Sequence, residues 1–198
     1  MTKLLVATGN PGKLIEIQSL LGELPIELVV PDTLGIALTV EESGDTYEEN
    51  ASLKARAFAD ASGLVTLADD SGLEVDRLNG LPGIRSARFS PIPHATDADR
   101  RTHLLNMLRA VPPPWKAHFH CTVAIATPLG RLFYAQGNCP GEIIPDERGS
   151  NGFGYDPIFL LPESGLTMAE LSMEQKNRLS HRARALTAAL PILHALFR

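Results

Sequence analysis

LLVATGNPGKLIEIQSLL, residues 4–21, decides how the rest of the chain is read. Leu4, Leu5 and Val6 form a short apolar run that predicts a buried strand, and Leu14, Ile17, Leu20 and Leu21 recur at helical spacing. Between them stand Thr8, Gly9, Asn10, Pro11, Gly12 and Lys13. A strand that passes into a helix through such a turn aims backbone N–H groups and the positive end of the helix dipole at one place. A lysine there suits a phosphate. The same residues are also ordinary turn formers, and the GxxxxGK[ST] pattern is absent, so this stretch alone admits a phosphate grip or a plain tight turn.

Working outward, strand and helix signals alternate, which predicts an α/β fold. Ile26–Val30 reads as a second strand. Thr46 and Glu49 form a capping-box pattern opening a helix that Gly63 ends. In LVTLADDSGLEVD the expectation is a strand, a turn at Asp70-Ser71-Gly72 and a short returning strand. Thr96 with Asp99 opens another helix to about Arg109, and Pro112-Pro113-Pro114 behind it is the candidate seam between lobes. AHFHCTVAIAT and RLFYAQG predict an antiparallel hairpin, and GSNGFGYDPIF a glycine-rich loop leading into a strand. The last helical region is expected to break at Ser180, with Ser172 and Gln175 capping its first part and Pro191 kinking or shortening its second.

Composition narrows the function. The chain has 198 residues, 44% hydrophobic and 21% charged, as in ordinary globular enzymes. A net charge of −5 offers no footprint for long nucleic acid, so a bound nucleotide is expected to be small. Two cysteines make no disulfide framework, and neither a signal-peptide pattern nor a membrane-length apolar run is present, so the expectation is a cytoplasmic protein without a membrane partner.

Asp69 and Asp70 close an apolar strand, where carboxylates are costly unless paired or bound to metal. Successive strand residues point to opposite faces, so at most one of the two addresses a given site. Glu41-Glu42 provides a second acidic position, and two carboxylates completed by phosphate oxygens are a usual way to hold Mg²⁺. Asn50 and Lys54 share a helix face. Phe153 and Tyr155 are candidate stacking surfaces, with one of them expected to plug the core instead. His118, His120 and Cys121 resemble metal ligands, but their alternation with apolar residues fits a half-buried strand better.

With these pieces together the chain resembles the inosine/xanthosine triphosphate pyrophosphatases, which clear non-standard purine nucleotides. VATGNPGK, EESGDTYEENASLKA, ADDSGLEVD, LPGIRSAR, GFGYDPIF and EQKNRLSHRARAL carry the likeness, in the family's order, from Lys3 to about Leu186. Arg85 and Pro91-Ile92-Pro93-His94 depart from the usual pattern. The resemblance implies an elongated two-lobed α/β fold, a central mixed β-sheet flanked by helices, an active site in the cleft between lobes, and residues 1–198 as one catalytic domain acting as a homodimer. It implies Mg²⁺-dependent hydrolysis of ITP, dITP and XTP to the monophosphate and pyrophosphate.

Carried onto this chain, the resemblance puts the phosphates on Thr8, Gly9, Asn10, Pro11, Gly12 and Lys13, with Lys54, Ser71, Lys176 and Arg182. Glu42 and Asp70 become the metal carboxylates and Asp70 the base, with Asp69 as the alternative if the strand register shifts by one. Phe153 would stack on the purine, Gly154, Tyr155 and Asp156 would contact its edge, and His181 with Arg182 would reach the 6-oxo group. A pyrimidine-directed pyrophosphatase and a non-catalytic nucleotide sensor are the competing readings.

Overall fold

A computed structural model describes residues 2–198. Its strands are β1 (Lys3–Val6), β2 (Glu27–Val29), β3 (Val65–Val75), β4 (Trp115–Ala126), β5 (Leu132–Ile143), β6 (Phe159–Leu161) and β7 (Leu166–Thr167). The helices are α1 (Pro11–Leu21), α2 (Tyr47–Ser62), α3 (Asp97–Leu108), α4 (Met173–Leu179) and α5 (His181–Leu196). All seven strands form one sheet in the order β2-β1-β3-β4-β5-β6-β7. It is mixed: β1 runs parallel to β2 and β3, while β6 runs antiparallel to β5 and β7. The α/β expectation with a mixed sheet and flanking helices holds. No helix among the described residues is long and apolar enough to cross a membrane.

The chain divides into two compact units. Unit 1 comprises 1–70, 121–137 and 181–198; unit 2 comprises 71–120 and 138–180. In unit 1, β1 is buried on both faces, which is why its apolar run is unbroken. Leu4 and Val6 pack with Ile17, Leu21, Leu186 and Leu193 of α1 and α5. Leu5 and Ala7 pack with Ala51, Ala55 and Phe58 of α2. The same alternation continues on β3, where Leu67 belongs to the first cluster and Ala68 to the second. Unit 2 has its own core, in which Leu104 and Leu108 of α3 meet Phe119, Tyr155, Ile158, Phe159 and Leu171.

Local chemistry sets several boundaries. The Thr46–Glu49 capping box opens α2, and Gly63 closes it in the left-handed conformation at φ 67°. Thr96 with Asp99 opens α3 in the same way, and Ser172 with Gln175 opens α4. Ser180 takes an extended conformation that separates α4 from α5, as its position predicts.

Three expectations are corrected. Asp70-Ser71-Gly72 does not turn; β3 runs through it as one strand of 11 residues. β3 has neighbours on both sides in the sheet order, with β1 paired to its first part at Val65–Leu67, and its extension beyond that outweighs the local turn preference. Pro112–Pro114 is no seam, because it lies inside unit 2, between α3 and β4. The divisions fall instead at positions 70/71, 120/121 and 137/138 within β3, β4 and β5, and at the α4–α5 break. Finally, α5 continues through Pro191 to Leu196. Its apolar face, with Ala189 and Leu193 in the core, holds the helix together past the missing N–H.

Candidate active site

The site in unit 1 begins at the turn before α1. Pro11 occupies the first helical turn, and the Asn10 side chain caps the helix by accepting from the Lys13 N–H at 3.1 Å. The Thr8 hydroxyl accepts from the Asn10 N–H at 3.2 Å. A Cβ on Gly9 would meet nothing within 4 Å, so the backbone there borders open space. The stretch is therefore both a helix cap and an accessible edge of the unit, with Lys13 turned to the sheet: its Nζ lies 3.0 Å from Asp69 Oδ2.

Strand alternation then sends the two aspartates in different directions. Asp69 shares the face of Leu67 and meets α1 and α5. Its Oδ2 accepts from Nε and Nη2 of Arg182, each at 3.2 Å, and from the Cys121 thiol at 3.9 Å. Arg182 Nη1 pairs with Glu16 of α1. Arg182 is only 1% exposed and Glu16 2%, so this is a buried two-carboxylate clamp on one guanidinium. Gly137 of β5 brings α5 this close: a Cβ there would run into the His181 carbonyl and the Ala185 N–H. Burial by itself would raise the Asp69 pKa, but Lys13, then Arg182 and Lys54, outweigh it and hold the carboxyl well below the usual carboxylate range. Asp69 is a fixed anion.

Asp70 shares the face of Ala68 and addresses α2. Burial raises its pKa above the ordinary value; Lys54 and Lys13 oppose that, and Glu42 and Asp69 reinforce it. Lys54 joins the group by donating to Glu42 Oε1 at 2.8 Å and to the Asp69 backbone carbonyl at 2.6 Å. Glu42 reaches this position because its loop is folded onto α2. Gly44 N–H donates to Asn50 Oδ1 at 2.9 Å, and Asp45 N–H donates to Glu49 Oε2 at 2.7 Å. Burial lowers the Lys54 pKa and Asp69, Asp70 and Glu42 raise it, with a net rise that keeps it charged.

Glu42 and Asp70 are hard oxygen donors on the same side as Lys54, and the Glu42 charge adds to the rise in the Asp70 pKa, a donor chemistry that fits an oxygen-seeking metal. Among the described residues, no three or more His, Cys, Asp or Glu side chains converge to hold a metal ion. An ion there needs further oxygens from water or substrate.

Unit 2 holds the glycine-rich loop. Asp156 is buried; its Oδ2 accepts from the Phe153 N–H at 3.0 Å and from Lys176 Nζ at 2.5 Å. Gly152, at φ 76°, is required here, because a Cβ would strike the Asp156 carboxylate. Lys176 Nζ stands 5.1 Å from the centroid of the half-buried Phe153 ring. Tyr155 is the aromatic that plugs the core, 4% exposed, with its hydroxyl donating to the Ser86 carbonyl at 2.9 Å. Burial pushes its phenol pKa up. Phe153 is left with an accessible face.

Of the residues singled out in the sequence, the Thr8–Lys13 turn, Glu42, Lys54, Asp70, His181 and Arg182 lie in unit 1. Ser71, Phe153, Gly154, Tyr155, Asp156 and Lys176 lie in unit 2. Ser71 follows Asp70 directly on β3. Lys176 pairs with Asp156 within unit 2. His181 opens α5 and is buried. Glu16 escaped the sequence reading, although one acid among Leu14, Ile17, Leu20 and Leu21 and one turn from Lys13 was the available signal. Asp97 and Arg101 of α3 escaped it as well, since both read as ordinary polar helix residues.

The profile of the Ham1 family matches residues 4–192. A protein from Desulforamulus reducens named dITP/XTP pyrophosphatase is 45% identical over 196 residues, covering 98% of this chain and 97% of its own. One of the same name from Nostoc sp. is 48% identical over 198 residues, covering 99% and 97%. A solved structure of a HAM1 protein from Coxiella burnetii superposes with a TM-score of 0.89 at 39% identity, covering 98% of this chain and all of that one. Profile, sequence and fold agree over nearly the whole length, and the chain belongs to the Ham1 family.

Proposed function

We propose that the chain hydrolyses non-standard purine nucleoside triphosphates, namely ITP, dITP and XTP, to the monophosphate and pyrophosphate, removing them before polymerases can use them. The observation that carries this reading is the division of labour at Asp69-Asp70. Asp69 is neutralised by Lys13 and Arg182, while Asp70 is a buried carboxylate of raised proton affinity beside Glu42 and Lys54. The names of the relatives support the same activity.

Residues 1–198 act as one catalytic domain. Water attacks, its proton passes to a carboxylate oxygen of Asp70, and the anhydride between the α and β phosphorus atoms breaks to release pyrophosphate. A raised proton affinity suits that base. Lys13 and Lys54 supply positive charge to the phosphates, and the N-terminus of α1, reached through Thr8, Gly9, Asn10, Pro11 and Gly12, adds backbone N–H groups. Ser71, the next residue along β3, contributes a hydroxyl to the substrate. Arg182 acts from behind by fixing Asp69. Glu42 and Asp70 would hold the Mg²⁺, whose chemistry is to neutralise phosphate charge as it shifts in the transition state.

Phe153 stacks on the purine, and Gly154, Tyr155 and Asp156 present backbone groups to its edge, with His181 directed to the 6-oxo group. Hypoxanthine and xanthine offer O6 as acceptor and N1–H as donor, and adenine reverses both. A buried site built for the first pattern rejects the second by ~10⁴. The active form is a homodimer in the cytoplasm, and light scattering on the purified chain tests the stoichiometry.

Pyrophosphate release with Mg²⁺, comparing dITP and XTP with dATP, dGTP and dTTP, tests the activity. Release confined to dITP and XTP is expected. Release mainly from dTTP would move the chain to the pyrimidine-directed reading, and none from any of the five would favour a sensor.

A further inference from the structure

Within the glycine-rich loop, the peptide groups next to Phe153 are held both by Asp156 and by side chains of α3. From within, Asp156 takes the Phe153 N–H and is itself fixed by Lys176. From outside, the first turns of α3 grip the peptide groups of Gly154. Its N–H donates to Asp97 Oδ2 at 2.7 Å, and its carbonyl accepts from Arg101 Nη1 at 2.8 Å. Each gripping side chain is anchored in turn. Arg100 pairs with Asp97 Oδ1, and Arg101 meets Glu147 with Nε at 2.8 Å and Nη2 at 2.9 Å from the two carboxylate oxygens. Gly154 has φ 62°, a region glycine enters freely, and with no side chain of its own to anchor it these bonds to α3 are what orient its peptide groups. It is the residue immediately after Phe153. Both bonds are charge-assisted, the stronger kind, and the fork of Arg101 uses separate nitrogens for the loop and for Glu147.

We infer that Asp97 and Arg101 are positioning residues for base recognition, clasping the Gly154 backbone so that the Phe153 ring is already set in its stacking orientation. The inference rests on the nucleotide reading above for its substrate, but the clasp itself is a property of the free protein. Holding a ring in place beforehand removes an ordering cost from binding, so its loss falls on KM rather than on kcat.

The test uses the full-length protein with Arg101→Ala, Asp97→Ala and the milder Glu147→Gln, which loosens Arg101 from its exposed side and leaves the loop untouched. Hydrogen exchange without nucleotide should accelerate at the Gly154 amide in all three, most in Asp97→Ala. With dITP, Arg101→Ala should raise KM by about tenfold, because a ring that is no longer held in place stacks on the base less effectively, with kcat little changed. In a Phe153→Ala background the same change should have almost no further effect on KM. Native exchange at Gly154 in all three variants would overturn the clasp. An equal rise in KM with and without the Phe153 ring would overturn its role in recognition. If the native protein does not turn over dITP or XTP, the nucleotide reading fails, and the exchange measurement still decides the clasp.

Discussion

The two units position their functional groups by opposite means. Unit 1 sets charge against charge, with half-buried Lys13 joined to buried Asp69, Arg182 and Glu16 in one chain of ion pairs. Unit 2 sets an aromatic ring through the backbone beside it, using Asp97, Arg101 and Asp156 as clamps on peptide groups. Phosphoryl chemistry needs fixed charge and little else, whereas a stacking face needs orientation but no charge of its own. Damage to unit 1 should therefore appear in turnover or in stability, according to which carboxylate is touched, and damage to the unit 2 loop in substrate binding.

The largest expected break is Asp70→Asn. Removing the proposed base should lower kcat by ~10²–10⁴ in pyrophosphate release while the melting temperature is retained or rises, because a buried carboxylate beside Glu42 and Asp69 is removed. Unchanged turnover would remove Asp70 from the base role.

Next comes Arg182→Met. It strands Asp69 and Glu16 without their shared cation, and breaking a buried pair from one side costs ~3–5 kcal/mol, read as a lower urea midpoint. A change within error would mean the ion-pair chain does not hold unit 1 together.

Phe153→Ala should do the reverse. The ring is only half-buried, so stability should be kept, while KM for dITP rises by the ~1–3 kcal/mol of base–aromatic stacking. A drop in stability with KM unchanged would make Phe153 a packing residue.

The smallest effect is at Tyr155. Tyr155→Phe removes the bond to the Ser86 carbonyl and should cost about 1 kcal/mol at neutral pH. The folded phenol is held above its ordinary pKa of 10.0, so its contribution is complete below that pH and is lost as pH rises through the folded value. Urea unfolding on the alkaline side of 10.0 should show a shallower loss in the variant than in the native protein. The Cys121 thiol, pushed up to about 12 by burial, contributes a similar alkaline loss in both and serves as the internal control.

Much of this was legible in the chain. Capping pairs mark α2, α3 and α4 because a helix start is satisfied by residues three apart, and such local chemistry is written in local sequence. The apolar run of β1 was legible for the same reason, as was the expectation that one of Phe153 and Tyr155 plugs the core, while which one does was decided only by the fold. Asp70-Ser71-Gly72 misled because a local turn preference is weak beside incorporation into a long strand of the sheet. Pro191 misled because the core face of α5 carries the helix past it.

By itself, the sequence determined the α/β order of elements, the helix caps and the chemical kinds of residue available: lysines, carboxylates and an aromatic glycine-rich loop. Only the tertiary structure decided which of them work together. It gave Asp69 to Arg182 and Asp70 to Lys54 by sending neighbouring strand residues to opposite faces. It also brought Glu16 to Arg182, 166 residues along the chain, and Arg101 to Gly154, 53 residues along. The physical reason is range: caps and periodicity act within a turn or two of backbone, while a buried charge finds its partner through space.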